Sequence, residues 1–138
     1  MASFVVDPSV ALAWLLTDET TQKALAIRQA IEQGAEAWIP AHWWLELANG
    51  LLIAERRGRI TADAVGQALF LVQELPLEED AQTAEQISVR TFALARKHQL
   101  TIYDAAYLEL AQRRHAVLAT FDAPLGQAAQ KERVAVAG

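Results

Sequence analysis

Two aspartates directly follow short apolar runs that are typical of β-strands. Asp7 comes after Phe4-Val5-Val6, and Asp122 comes after the run 117–121. In an open parallel sheet, ligands bind beyond the carboxyl ends of the strands, at the point where the strand order reverses. If these two strands are neighbours at that point, the two carboxylates face each other, and they repel unless a cation lies between them. The placement therefore predicts a divalent cation site.

Two further acids stand out because their surroundings in the sequence are apolar. Glu46 lies in the apolar segment 43–51, where an unpaired carboxylate is costly. Asn49 shares roughly the same helix face and could hold the Glu46 carboxylate or contact a substrate. Asp104 falls in the first turn of a largely apolar helix, from which we infer that it points toward the two strand-end aspartates.

Four oxygen donors with no His or Cys among them favour Mg²⁺ or Mn²⁺ over zinc. Such a site hydrolyses phosphodiester bonds, because one metal ion lowers the pKa of an attacking water and a second, if bound, stabilises the leaving oxygen. The carboxylates act as ligands and help to deprotonate the water, so this chemistry needs no nucleophile from the protein.

Each of these acids also has a purely structural interpretation. Asp is a preferred N-cap residue, so Asp7 could cap a helix that begins at Pro8, Asp122 a helix that begins near Pro124, and Asp104 its own helix. Glu46 fits a structural role least well, because its neighbours are apolar. Each signal is weak alone, and the joint placement of the four acids is what favours a cation site.

Composition bounds the class of protein. The chain has 138 residues, of which 53% are hydrophobic and 21% charged, so we expect one domain, residues 1–138, with a substantial core. There is no Cys, which excludes disulfides and Cys-ligated zinc. The net charge of −5 argues mildly against binding nucleic acid through a basic face, but it discriminates little for an enzyme that meets phosphates through bound cations.

The start of the chain lacks the basic stretch of a signal peptide, and an acid interrupts its short apolar run. No run approaches the roughly 20 apolar residues that a membrane span needs. We therefore expect a cytoplasmic protein without membrane association.

Short apolar runs alternate with amphipathic segments along the chain. Strands are predicted at 4–6, 37–39, 75–77, 117–121 and 134–136. Helices are predicted at 8–16, 21–33, 43–57, from a cap at 61–63 to about 72, at 81–98, at 103–114 and briefly from 124. This alternation predicts an α/β fold, a three-layer α/β/α sandwich around a central parallel sheet.

Other polar residues are discounted as site residues. Glu109 lies about 140° around a helix from Asp104, so we expect a solvated surface acid. The three histidines, His42, His98 and His115, lack metal-ligand spacing and flank helix ends, and catalysis by any of them is not expected. Basic residues at 96–97 and 113–114 are expected to be helix C-terminal cations, whereas those at 56–59 could contact phosphates.

Two adjacent tryptophans raise the question of a partner surface. Trp43 and Trp44 point about 100° apart on a helix, so they do not easily face one core. Either one ring is exposed to a partner, since aromatic residues concentrate in interfaces, or neighbouring helices cover both.

Taken together, the acidic segments resemble the PIN domain family, and within it the VapC toxin ribonucleases of bacterial toxin–antitoxin pairs. The resemblance spans nearly the whole chain and rests on four segments in order: Val5-Val6-Asp7-Pro8-Ser9, Glu46-Leu47-Ala48-Asn49, Tyr103-Asp104-Ala105-Ala106-Tyr107-Leu108 and Thr120-Phe121-Asp122. The third segment is the most specific, and the strand-end segments are weaker alone.

The resemblance implies a PIN-like α/β/α sandwich whose acidic pocket holds Mg²⁺ or Mn²⁺. It assigns metal-site roles to Asp7, Glu46, Asp104 and Asp122. It implies supporting hydroxyls at Ser9 and Thr120, and a contact to the carboxylates or to RNA at Asn49. It further implies an RNA substrate, a cognate antitoxin that blocks the pocket, and a toxin homodimer.

The leading hypothesis is a metal-dependent endoribonuclease that acts as the toxin of such a pair. The alternative is a non-catalytic PIN-like module that binds RNA or a partner without cutting. A receiver-like phosphoacceptor with Asp7 phosphorylated needs an acid pair near the first strand and a Lys after a late strand, and the sequence offers neither.

Overall fold

Five parallel strands form the sheet at the centre of the molecule. The structure is a computed structural model and describes residues 2–138. Its strands are β1 (Ser3–Val6), β2 (Glu36–Pro40), β3 (Glu78–Asp80), β4 (Val117–Ala119) and β5 (Val136–Ala137). They lie in the order β3-β2-β1-β4-β5 and every neighbouring pair is parallel. The strand order therefore reverses between β1 and β4.

Helices flank this sheet. Over residues 2–138 there are seven α-helices: α1 (Pro8–Leu15), α2 (Gln22–Glu32), α3 (Trp43–Arg56), α4 (Ala62–Gln73), α5 (Phe92–His98), α6 (Ile102–Arg114) and α7 (Ala123–Lys131). A π-helical segment, Gln86–Thr91, leads directly into α5. Helix α6 packs across β1, β2 and β4, while α1 packs against α2 and α3. The predicted α/β/α sandwich with a parallel sheet is confirmed.

The central strands are apolar because both of their faces are covered. Val5, Val6 and Leu118 are fully buried, and they belong to runs without the polar alternation of a half-exposed sheet. No helix within residues 2–138 has both the length and the apolar content to cross a membrane.

The third strand was predicted three residues too early. The segment 75–77 does not pair; instead the Leu77 amide donates to the Leu75 carbonyl at 2.8 Å, which closes a tight turn around Pro76. Pro76 has no amide hydrogen to donate to a sheet. Pairing with β2 starts one residue later, with Trp38 opposite Glu78.

The predicted long helix 81–98 also begins too early. The Gln86 amide donates to the Thr83 hydroxyl at 3.1 Å, and the Thr83 amide donates to the Gln86 side chain at 2.9 Å. This reciprocal pair is a capping box, which starts the helix after Thr83. Residues 81 and 82 belong to no helix or strand, and the Gln82 side chain reaches α6 instead.

Two other strand boundaries differ by a few residues. The predicted run 117–121 pairs only over Val117–Ala119, because the residues that follow turn to form the hydrogen-bonded end described below. The last strand is Val136–Ala137 instead of 134–136, since Arg133 adopts a left-handed backbone conformation and the Val134 amide still bonds to the Ala129 carbonyl of α7.

Helix α3 buries the face that carries Trp43. Trp43 is fully buried, as are Leu47 and Leu51, whereas Ala48 and Leu52 are exposed. The Trp43 indole N–H donates to the Val6 carbonyl at 2.8 Å, and this bond holds the ring in the core. Trp44 is partly buried and packs edge-on against Trp43 at 4.9 Å between ring centroids. Both rings are thus at least partly covered by the fold itself.

Glu109 was expected at the surface and is buried instead, with 1% of its area exposed. The reason is that residues 105–111 of α6 are all buried where the helix lies over the sheet. The Glu109 carboxylate accepts hydrogen bonds from Arg113 at 2.8 Å and from Gln82 at 3.3 Å. These partners satisfy the carboxylate and assign it a structural role.

Candidate active site

The ends of β1 and β4 bring the first and last candidate acids into one region. Val6 pairs with Ala119, and the Asp7 amide donates to the Ala119 carbonyl at 2.9 Å. Asp122 follows three residues beyond this end of β4. The expectation that the two strands are neighbours at the reversal of strand order is confirmed.

A network of four hydrogen bonds holds the Asp7 carboxylate. Its Oδ2 atom accepts from the hydroxyls of Ser9 at 2.6 Å and Thr120 at 2.7 Å. The Phe121 amide donates to the Ser9 hydroxyl at 3.0 Å, and the Asp122 amide donates to the Thr120 hydroxyl at 3.0 Å. Within residues 2–138 the Oδ1 atom of Asp7 takes no hydrogen bond, which leaves it available to a ligand.

Asp7 lies in surroundings that oppose its negative charge. Only 7% of the residue is exposed, and this burial raises its pKa from the ordinary 3.8 to about 6. The hydroxyls of Ser9 and Thr120 pull the pKa down, and the negative charges of Asp104 and Glu46 push it up. Those charge effects place the Asp104 and Glu46 carboxylates within electrostatic reach of Asp7.

Glu46 is fixed at one oxygen by two side chains. The Tyr107 hydroxyl donates to its Oε1 atom at 2.6 Å, and Nε2 of His42 lies 3.0 Å from the same atom. Within residues 2–138 the buried Nε2 atom of His42 has no hydrogen-bond partner, so its contact with Glu46 is electrostatic. Partial burial of Glu46 raises its pKa, but the contacts from His42 and Tyr107 outweigh burial and lower the pKa overall. Glu46 is therefore ionised, with Oε2 unclaimed by these two partners.

Asp104 sits in the first turn of α6, whose N-cap is Thr101. The Thr101 hydroxyl accepts from the Asp104 amide at 3.0 Å, so the Asp104 side chain is not the cap. Half-burial of Asp104 raises its pKa, and the negative charges of Asp122 and Glu46 raise it further. The repulsion links Asp104 to both of these acids.

Of the two aspartates that follow strands in the described part of the chain, one caps a helix with its side chain and the other does not. Asp122 is a true N-cap, since its Oδ2 atom accepts from the Leu125 amide at 3.1 Å. Asp7 occupies the N-cap position of α1, but among residues 2–138 its side chain receives no capping hydrogen bond. Asp7 is therefore free of the structural role that best explained it.

The donor set fits a hard divalent cation. The converging side chains offer carboxylate oxygens, which are the ligands that Mg²⁺ and Mn²⁺ prefer. Over residues 2–138, however, no three His, Cys, Asp or Glu side chains lie close enough together to hold a metal ion by themselves. Mg²⁺ is commonly bound through one or two carboxylates and keeps several waters, so it does not require a tight protein cage.

Two residues that contact Glu46 were not predicted as site residues, and, within residues 2–138, one predicted site residue forms no hydrogen bond with it. His42 was discounted, and Tyr107 was noted only as part of a motif, yet both contact Glu46. The spacing of His42 and Glu46, one helical turn apart, is the feature of the sequence that indicates their contact. The Asn49 side chain is exposed and, in the part of the chain described, forms no hydrogen bond with Glu46.

Comparison with known proteins gives consistent matches. The PIN domain family matches residues 4–131. A protein of Pyrobaculum aerophilum named "Ribonuclease VapC3" is 31% identical over 123 residues, which cover 89% of this chain and 92% of that protein.

Solved structures share the fold. PAE2754 from Pyrobaculum aerophilum superposes with a TM-score of 0.69 at 23% identity, covering 98% of this chain and 83% of its own. A toxin–antitoxin complex from Klebsiella pneumoniae superposes with a TM-score of 0.58 at 19% identity, covering 87% of each chain.

Proposed function

Since the chain belongs to the PIN domain family, we propose that it is a divalent-metal-dependent endoribonuclease that acts as the toxin of a toxin–antitoxin pair. The name of its Pyrobaculum aerophilum relative supports ribonuclease activity. The observation that carries the proposal is the geometry of Asp7, which is buried at the reversal of strand order with Oδ2 held by the Ser9 and Thr120 hydroxyls and Oδ1 left open. The negative charges of Glu46 and Asp104 act on the same carboxylate.

A cluster of negative charge such as this one stabilises a cation and opposes the approach of a bare phosphate. Within residues 2–138, no Lys or Arg pairs with any of the four acids. In the proposed function, Asp7, Glu46 and Asp104 would hold the cation, and Asp7 and Glu46 each have one oxygen that the hydroxyl groups leave open. Asp122 contributes from the edge of the site, where its other oxygen caps α7.

When bound, Mg²⁺ or Mn²⁺ supplies positive charge to the scissile phosphate and lowers the pKa of an attacking water. The chain's own residues orient the ligands. Ser9 and Thr120 fix Oδ2 of Asp7, and Tyr107 fixes Oε1 of Glu46, so each carboxylate presents its other oxygen. An ionised carboxylate at the site also accepts the proton that the attacking water loses.

The test is RNA cleavage by the purified protein and by two variants, Asp7→Asn and Asp104→Asn. We expect the unsubstituted protein to cleave with Mg²⁺ or Mn²⁺ and to stop with EDTA, and both variants to lose cleavage while keeping the circular dichroism spectrum. Asp63→Asn is the control, since Asp63 is an exposed acid in the first turn of α4. Cleavage retained in either site variant would reject the site.

The same experiment addresses the non-catalytic alternative. The lack of a preformed three-ligand cluster in residues 2–138 is the observation that favours it. A PIN-like module that only binds RNA or a partner would bind Mg²⁺ without turnover. Measured Mg²⁺ binding by a protein that cleaves no RNA under any metal condition would therefore replace the nuclease proposal with this one.

We also propose a cognate antitoxin and a toxin homodimer. A toxin–antitoxin complex among the structures of the same fold supports the first. Exposed apolar side chains on α3, Leu45 and Ile53 among them, support a surface that a protein covers. Co-expression with the product of a short neighbouring reading frame should yield a complex without RNA cleavage, and light scattering of the toxin alone should give the mass of two chains.

A further inference from the structure

Tyr103 is an aromatic side chain that the site chemistry above does not use. It directly precedes Asp104, and 62% of it is exposed. The ring of His42 meets it edge-on, with 5.5 Å between ring centroids, and meets Tyr107 in the same way at 5.3 Å. Because His42 also contacts Glu46, this aromatic chain ties Tyr103 to the acids. Tyr103 therefore stands at the rim of the candidate active site with most of its surface open.

The charge of the site makes such a ring useful to an RNA-binding protein. The chain carries a net charge of −5, and attraction of phosphates to a basic face is the usual source of affinity for nucleic acid. As stated above, the described chain pairs no Lys or Arg with the four acids. Stacking of a base on an aromatic ring is an alternative source of affinity, and it does not depend on charge.

There is also room for a nucleic acid strand beside Asp122. A groove of about 460 Å³ runs along Ser9, Phe121 and Asp122, which within residues 2–138 is the one candidate acid that lines it. A substrate strand that passes the acids therefore has space on the β4 side of the site, while Tyr103 lies at the start of α6.

We propose that the Tyr103 ring stacks on an unpaired nucleobase adjacent to the scissile phosphate and so binds the substrate beside the acidic site. This inference rests on the ribonuclease function proposed above and adds a residue that binds the substrate. The ring, not the hydroxyl, makes the contact, and the stacking partner is a base and not the sugar–phosphate backbone.

The test is the steady-state kinetics of cleavage of a short single-stranded RNA oligonucleotide by Tyr103→Ala and Tyr103→Phe. Loss of one base stack should raise KM roughly 5- to 100-fold in Tyr103→Ala with little change in kcat. Tyr103→Phe keeps the ring and should retain the KM of the unsubstituted protein. Phe70→Ala is the matched control, because Phe70 is 63% exposed on a different helix, α4, and should leave KM unchanged.

An abasic ribose placed at each position around the cut identifies the stacked base. At one position, the abasic substrate should raise KM for the unsubstituted protein and cause no further rise for Tyr103→Ala, because the two changes remove one contact. An unchanged KM in Tyr103→Ala, an equal rise in Tyr103→Phe, or additive losses at every position would overturn the inference and leave the ribonuclease proposal intact. Absence of cleavage by the unsubstituted protein would overturn both.

Discussion

Asp7 is a carboxylate whose burial opposes its ionisation and so opposes the stability of the fold at neutral pH. The residue is buried at the end of the central strand β1, and its pKa is raised to about 6, mainly by that burial. The hydroxyls of Ser9 and Thr120 occupy one of its oxygens and leave the other open. A bound cation would stabilise the ionised form of this carboxylate and so offset the cost of burying its charge.

The pH dependence of stability provides a test. The folded state binds the Asp7 proton more tightly than the unfolded state, whose ordinary pKa is 3.8. The free energy of unfolding of the metal-free protein should therefore fall as pH rises from about 4 through about 6, by up to about 3 kcal/mol. Urea denaturation in EDTA measures it.

Asp7→Asn carries no such titration and should lose this part of the pH dependence, so that it is more stable than the unsubstituted protein at pH values above about 6. Asp63→Asn, at an exposed position, serves as the reference for the method. Parallel pH profiles for Asp7→Asn and the unsubstituted protein would contradict the assignment of a buried, destabilised carboxylate.

Tyr107→Phe tests the orientation of Glu46. The substitution keeps the buried ring and removes the hydroxyl that donates to Oε1 at 2.6 Å. Loss of a group that orients a metal ligand commonly costs about 10- to 100-fold in metal affinity or activity, and we expect a loss of RNA cleavage in this range. A variant with full activity and unchanged Mn²⁺ affinity would show that the hydroxyl does not orient the carboxylate.

For single residues, the sequence predicted that Asp7 and Asp122 follow neighbouring strands, but not which side chains hold the candidate acids. Asp7 and Asp122 were predicted from their positions after strands, a rule that depends only on local sequence and parallel pairing. The hydrogen bond from Tyr107 to Glu46 joins residues of two helices that are 61 positions apart in the chain, so it depends on tertiary packing. The burial of Glu109 was not predicted for the same reason, because it depends on how α6 lies over the sheet.

Among the elements, the short edge strand β3 depends on α6 for its position. Asp80 ends β3, is 6% exposed, and accepts hydrogen bonds from Arg113 at 2.8 and 2.9 Å and from Arg114 at 2.7 and 3.0 Å. The Arg114 guanidinium also lies 3.5 Å from the centroid of the Trp38 ring of β2. The two arginines, predicted only as helix-end cations, therefore join the helix to two strands.

Asp80→Asn should destabilise the protein by about 1–3 kcal/mol at neutral pH, because two arginines lose their carboxylate while remaining partly accessible to water. Hydrogen bonds from Arg113 lead the effects that lower the pKa of Asp80. Its stabilisation is therefore complete above the unfolded pKa of about 4 and disappears as pH falls below it, so the variant and the unsubstituted protein should converge in acid.

Chemical denaturation of Asp80→Asn beside Glu79→Gln, an exposed acid of the same strand, gives the comparison. Equal stability of the two variants at neutral pH would show that the ion pairs contribute nothing to holding β3.

The boundaries of helices and strands were predictable where a local sequence signal marks the end. Glycine is the usual residue just beyond a helix, and Gly34 after α2 and Gly58 after α3 adopt the positive φ angles, 109° and 73°, that favour it. The start of the helical segment before α5 was predicted too early, although Thr83 and Gln86 have the spacing of a capping box. The position of β3 could not be predicted, because its three residues, Glu-Glu-Asp, have no strand propensity and pair only through β2 and α6.

In the fold as a whole, the sheet order places Asp7 and Asp122 beyond the ends of two neighbouring strands. The pairing of β1 with β4 joins the two ends of the sequence at the reversal of strand order. We propose that residues 1–138 form a single domain, because one buried apolar cluster includes residues from β1, β2, β4 and most of the helices. The alternation of strand and helix patterns was sufficient to predict this architecture, whereas the distances within the site were not predictable from it.

We propose that these acids form one divalent cation site, and calorimetric titration of the purified protein with Mn²⁺ at pH 8 tests this proposal. We expect saturable binding by the unsubstituted protein and by Asp63→Asn, and a loss of at least about 10-fold in affinity for both Asp7→Asn and Asp104→Asn. Equal Mn²⁺ affinity in all four proteins, or no binding by the unsubstituted protein, would contradict it.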